Sequence, residues 1–200
     1  HSGLVGNQTI KGNTLMHVDK YANPFVDTIP AARNKSMMVY EFDAADIISP
    51  YMYPFMAKAF RGAGFQWATQ FAYDPIGMAH VNTEYQTHYL NLAYTPAKAI
   101  SLMIAAEVFQ NVPRGKSYGV YPADSSFDVF RVSYKEQLSE MNSAEKFYYS
   151  GNTSAKPIAP ASLKHIAGIG NSPLVQYSGS GAYFLDKLED GVWRLEVFPD

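Results

Sequence analysis

The first compact apolar run of the chain is Met37-Met38-Val39-Tyr40-Glu41-Phe42, which lacks Gly and Pro and has the length and side-chain content of a buried strand. Ser49-Pro50 then marks a helix start, and Pro54 has to fall in the first turn, where its missing N–H is harmless. Phe55, Met56, Ala59 and Phe60 give this helix one apolar face, and Gly62 and Gly64 end it. From Phe65 to Tyr73 aromatic side chains alternate with small or amide ones, the period of a second strand. A long connection over 74–94 leads to Thr95-Pro96, an N-cap followed by a first-turn proline, and to a helix reaching about Phe109. Ile100, Leu102, Met103, Ile104, Val108 and Phe109 cover nearly every side of that helix, so it is expected to be buried on more than one face. Strand, helix, strand, helix is the order of parallel βαβ units.

After Pro113 the pattern changes. Gly, Pro and Ser separate short strand-like runs at Phe127–Tyr134, Phe147–Tyr149, Leu174–Tyr177, Ala182–Asp186 and Val192–Phe198, and Asp190-Gly191 is a tight hairpin signal between the last two. The expected organisation is therefore α/β over 1–112 and β-rich over 113–200, with residues 1–30 irregular.

Composition narrows the function classes. In 200 residues, 16 Lys and Arg face 18 Asp and Glu, for a net charge of −2 without long like-charge runs, which argues against nucleic-acid and polybasic membrane binding. No apolar stretch approaches the roughly 20 residues that cross a bilayer, so no membrane insertion is expected. Cysteine is absent, which excludes disulfides, thiol nucleophiles and iron–sulfur ligation on this chain. The 15 Tyr, 12 Phe and 2 Trp often stand beside Asn, Gln, Asp and His, a mixture suited to sugars or peptides.

Glu41 is the leading candidate for chemistry, because it sits near the carboxyl end of a strand in a parallel unit, where α/β folds gather ligands. There it can act as nucleophile or base in glycoside hydrolysis; a salt-bridged strand-end glutamate is the alternative. Asp43, two residues on, would orient a substrate hydroxyl or raise the pKa of its neighbour, or else close a turn. The second strand ends in Tyr73-Asp74, and the connection after it carries His80, Asn82, Glu84, Tyr85 and His88, an aromatic and amide-rich loop able to grip sugars or simply to cover one end of the fold. His80 and His88 lie eight residues apart, which matches no zinc signature, and no metal or other cofactor is expected. No Gly-x-Ser-x-Gly elbow occurs.

Taken together, Met38-Val39-Tyr40-Glu41-Phe42-Asp43, the helix ending Phe60-Arg61-Gly62-Ala63-Gly64, the strand from Phe65 to Asp74, and the segment from Asn82-Thr83-Glu84-Tyr85 to Tyr94-Thr95-Pro96 resemble the last two βα units of a clan A glycoside hydrolase barrel. The region after Pro113 resembles the β-sandwich that often follows such barrels in exported glycan-degrading proteins of Bacteroidetes. The resemblance implies a fragment of a (β/α)8 barrel with a partial sandwich, a retaining mechanism with Glu41 as nucleophile, and Trp67 in the sugar subsite. It also implies a carbohydrate substrate, a secreted, periplasmic or cell-surface location, and an acid/base Glu carried by a missing remainder of the polypeptide. A non-catalytic carbohydrate-binding or assembly protein is the competing expectation.

Overall fold

The computed structural model describes residues 12–18, 28–32, 35–43, 50–81 and 90–198. A short helix, α1 (Leu15–Val18), precedes strand β1 (Met38–Phe42), helix α2 (Met52–Gly62), strand β2 (Trp67–Gln70) and helix α3 (Pro96–Asn111). Seven strands follow: β3 (Ser126–Phe127), β4 (Phe130–Ser133), β5 (Leu138–Asn142), β6 (Lys146–Tyr149), β7 (His165–Gly168), β8 (Ala182–Glu189) and β9 (Val192–Phe198). β1 and β2 pair in parallel as a sheet of two, as the strand, helix, strand order predicts. β3 to β9 form one sheet in sequence order, antiparallel except for the parallel β6–β7 pair. The fold class is thus mixed α/β with a large, mostly antiparallel sheet, and the described strands close no barrel.

The two long helices lie between the sheets. Phe42 of β1 meets Tyr53 and Phe60 of α2 edge to face, at ring-centroid distances of 6.1 and 5.4 Å. On the other side, Tyr51 and Phe55 reach Tyr134 and Tyr121, and Ser101 of α3 bonds Ser139 of β5 at 3.0 Å. One hydrophobic core accordingly includes Phe42, Phe55, Ile104 and Val108 together with Phe130, Met141, Tyr148 and Ala167, drawing on both sides of residue 112. This position in a middle layer corrects the one-faced expectation for α2: Met52 to Lys58 are all buried. α3 is buried on several sides, as its all-round apolar pattern predicts.

Several local expectations are revised for physical reasons. β1 is not a buried strand; exposure alternates along it, because only its helix-facing side is covered. The second strand shrinks to four residues. Thr95 does not cap α3 with its side chain; its hydroxyl turns back, accepting from the Asn91 N–H at 2.9 Å and donating to the Asn91 carbonyl at 3.1 Å. Leu174–Tyr177 is no strand, since Ser172 Oγ accepts from the backbone N–H of Leu174 and Val175, and Asn171 Oδ1 from that of Tyr177. Those side-chain bonds fold the run into a turn over the outer face of the sheet. There it helps cover a second cluster of Leu138, Phe147, Tyr149, Leu163, Ile166 and Tyr183.

Burial of the middle layer also buries cations. Lys58 of α2 is paired with the fully buried Asp124, which precedes β3, and its ammonium lies 3.4 Å from the centroid of the Phe55 ring. Removing either partner strands a charge in a low-dielectric site, so Lys58→Met and Asp124→Asn are each expected to lower unfolding free energy by about 3–5 kcal/mol. The double variant Lys58→Met/Asp124→Leu is expected to recover most of that loss in urea titrations.

Tyr148 of β6 supplies a pH test. Its burial, with Glu107 and Asp186 nearby, raises its phenol from an ordinary value near 10 to about 12. The folded chain holds this proton to higher pH than the unfolded chain, so stability is complete below about pH 10 and falls as pH rises toward 12. Tyr148→Phe is expected to shift the alkaline decline of the urea midpoint to higher pH, while the buried Tyr149 and Tyr183, whose phenols are also raised, keep it from vanishing.

Candidate functional site

The carboxyl ends of β1 and β2 converge on a buried polar cluster. Phe42 pairs with Gln70 in register, which brings Asp43, the next residue, to the Gln70 side chain. Asp43 Oδ1 accepts a hydrogen bond from the Tyr53 hydroxyl at 2.7 Å and a longer one from Gln70 Nε2 at 3.4 Å. Lys98 Nζ stands 3.8 Å from the same oxygen and 5.5 Å from the centroid of the Tyr53 ring. Asp43, Tyr53 and Lys98 are all buried. The cluster therefore ties β1, α2, β2 and α3 together through one carboxylate.

The opposite face of the parallel pair is open. Met38 and Trp67 face each other in register on this side, and Tyr40 and Thr69 follow two residues on. Tyr40 is 80% exposed and Trp67 64%, an aromatic surface accessible to a ligand. The Trp67 indole N–H donates to Thr69 Oγ1 at 3.0 Å, which fixes the ring plane. Between Val39 and Phe42 the register slips: three steps along β1 match two along β2, leaving one extra residue at Tyr40–Glu41. A bulge of this kind re-aims side chains and breaks the strict alternation. Glu41 lies in the bulge, half-buried, immediately after the exposed Tyr40.

The remaining sequence candidates divide by location. Tyr73 is exposed, and partial burial of its phenol raises its pKa, offset in part by a hydrogen bond with the Leu92 backbone. Asp74 is buried, and its backbone N–H donates to the Leu90 carbonyl at 2.9 Å, which joins the two ends of the long connection. His80 is exposed. Asn82, Glu84, Tyr85 and His88 lie outside the described residues. Among the described residues no group of three His, Asp or Glu side chains is arranged to hold a metal ion, and no helix is long and apolar enough to cross a membrane.

Tyr53, Gln70 and Lys98 escape the sequence reading. The available signal is Lys98 itself, a cation near the start of a helix apolar on nearly every side, which implies a buried counter-charge. Comparison with known proteins finds no matching family model, curated protein or solved structure.

The geometry separates two carboxylates. Asp43 is structural: Tyr53→Phe is expected to lower stability by about 1.5–3 kcal/mol, as for a hydrogen bond to a charged group, and Lys98→Met by about 3–5 kcal/mol. Glu41→Gln is expected to change stability by no more than about 0.5 kcal/mol. Urea denaturation of the three variants checks this order.

Proposed function

We propose that this chain is part of a retaining glycoside hydrolase of clan A type, its α/β segment contributing the last βα units of a barrel and Glu41 serving as the nucleophile. The observation that supports this reading most directly is the bulge at Tyr40–Glu41, which sets a half-buried carboxylate next to the exposed Tyr40 near the carboxyl end of β1. In this reading Glu41 attacks the anomeric carbon beside Tyr40, and Trp67, at the amino end of β2 opposite Met38, offers its ring face to a sugar unit further along the same open face. The glycosyl–oxygen bond breaks as an ester to Glu41 forms, and the departing alkoxide takes a proton from a second carboxyl group. Retention places that group about 5–5.5 Å away. Asp43 is committed to Tyr53, Gln70 and Lys98 in the interior and is not that proton donor. Water then cleaves the ester. An exported location accords with action on polymeric glycans.

A second reading rests on the exposure of Tyr40 and Trp67: the same face binds a glycan without cleaving it. Activated 2-deoxy-2-fluoroglycosyl fluorides separate the two, because fluoride leaves without an acid catalyst and the ester accumulates. With gluco, galacto, manno and xylo reagents applied to the full-length polypeptide, one of the set is expected to add a single glycosyl group, mapped to Glu41 by peptide mass analysis and lost in Glu41→Gln. No labelling by any reagent, or labelling at another carboxylate, overturns the nucleophile assignment. Retardation in polysaccharide-containing gels that Trp67→Ala weakens, without labelling, establishes the binding reading in its place.

A further inference from the structure

β9 forms one margin of the seven-stranded sheet, and among the described residues no strand pairs with its outer edge. It is seven residues long, and every residue from Val192 to Val197 is exposed. Val197 is in register with Tyr183 and Leu195 with Leu185, so Trp193, Leu195 and Val197 extend the apolar outer face of the sheet beyond its covered part. Arg194 and Glu196 point to the other face. Among the described residues this long, largely apolar edge has no strand partner, and such an edge is a template for another strand.

The order of residues along this edge specifies its partner. Val192-Trp193-Arg194-Leu195-Glu196-Val197-Phe198 is chemically symmetric about Leu195. We propose that β9 is the interface of a homodimer, in which it pairs antiparallel with β9 of a second copy about a two-fold axis at Leu195. In that register Leu195 meets Leu195 of the second copy, Trp193 meets Val197, Val192 meets Phe198, and Arg194 meets Glu196 on both sides of the axis. Directly opposed residues of an antiparallel pair share a face, so the Trp193, Leu195 and Val197 rows of the two copies join into one apolar stripe. Moving the axis by one residue, to Arg194 or to Glu196, places like charges opposite each other. The charges thus select the register as well as the partner. Arg194 is available for this contact without leaving its own sheet: its Nη2 bonds Asp186 at 2.7 Å, and its Nε lies 3.2 Å from Glu196 of the same chain, both on the helix-facing side. The product is a continuous sheet across two copies with an isologous interface.

The 200-residue chain is expected to sediment as a dimer at about 100 µM, a concentration that saturates a micromolar interface. Glu196→Arg sets Arg194 against a cation, and Arg194→Glu sets Glu196 against an anion; each is expected to raise the dissociation constant about tenfold or more. An equimolar mixture of the two variants recreates both opposite-charge pairs and is expected to restore the dimer. Because Arg194→Glu also faces Asp186 within its own chain, Leu195→Lys provides a second probe at an exposed position on the axis, and it too is expected to be monomeric while keeping the wild-type circular dichroism spectrum. A monomeric wild type, a dimer that survives both charge reversals, or a mixture that stays monomeric overturns the proposal.

Discussion

Two helices covered on both sides leave their lysines without a path to water, and the architecture follows from how those charges are met. Desolvating an ammonium group is far too costly to leave uncompensated. Lys98 of α3 finds Asp43 at the end of β1, and Lys58 of α2 finds Asp124 ahead of β3. The two counter-charges belong to layers on opposite sides of the helices. The same requirement therefore fastens the small parallel sheet to one side of the middle layer and the large sheet to the other. Buried pairs of this kind contribute little net stability compared with apolar packing, but a mispaired arrangement is strongly penalised, so they restrict which face of each helix meets which sheet.

That anchoring bears on the candidate site. With Asp43 held by Tyr53, Gln70 and Lys98, the end of β1 has a fixed direction, and the bulge two residues earlier presents Glu41 from a rigid base. Sites built on strands held in this way keep their geometry better than sites on free loops. The two carboxylates stand two positions apart in sequence yet occupy opposite situations, one committed to the interior and one half-exposed beside Tyr40.

Much of the skeleton is legible in the sequence because hydrophobic period and punctuation coincide there. Pro54 and Gly62 bracket α2, Thr95-Pro96 opens α3, and Asp190-Gly191 turns β8 into β9. What escapes is decided by contacts distant in sequence. β5, Leu138-Ser139-Glu140-Met141-Asn142, reads as polar, yet Ser139 is buried because Ser101 of α3 satisfies its hydroxyl. β7 contains only four residues, two of them Ala167 and Gly168, with too little side chain to give a strand signal. Leu174–Tyr177 carries strand-like residues but is captured by Ser172 and Asn171. At the site, Glu41 and Trp67 stand out by residue type, whereas the bulge that aims Glu41, and the register that sets Trp67 opposite Met38 at the other end of the pair, depend on the pairing of β1 with β2 and have no local signature.

Gly168 has no strained backbone, yet a methyl group there would lie 2.3 Å from the ring of Tyr149. The tyrosine ring occupies the space over that glycine, with its hydroxyl 2.7 Å from that of Tyr183 and 3.0 Å from Ser172 Oγ. In register, Tyr149 and Gly168 are direct neighbours across the parallel pair β6–β7. The two positions therefore share one volume. Among descendants of this chain, 168 would accept a side chain only where 149 has first become small, and a large residue would return to 149 only after 168 has reverted. The pair forms a gate in sequence drift that opens in either direction but only in a set order, so the order of substitutions matters as much as their identity.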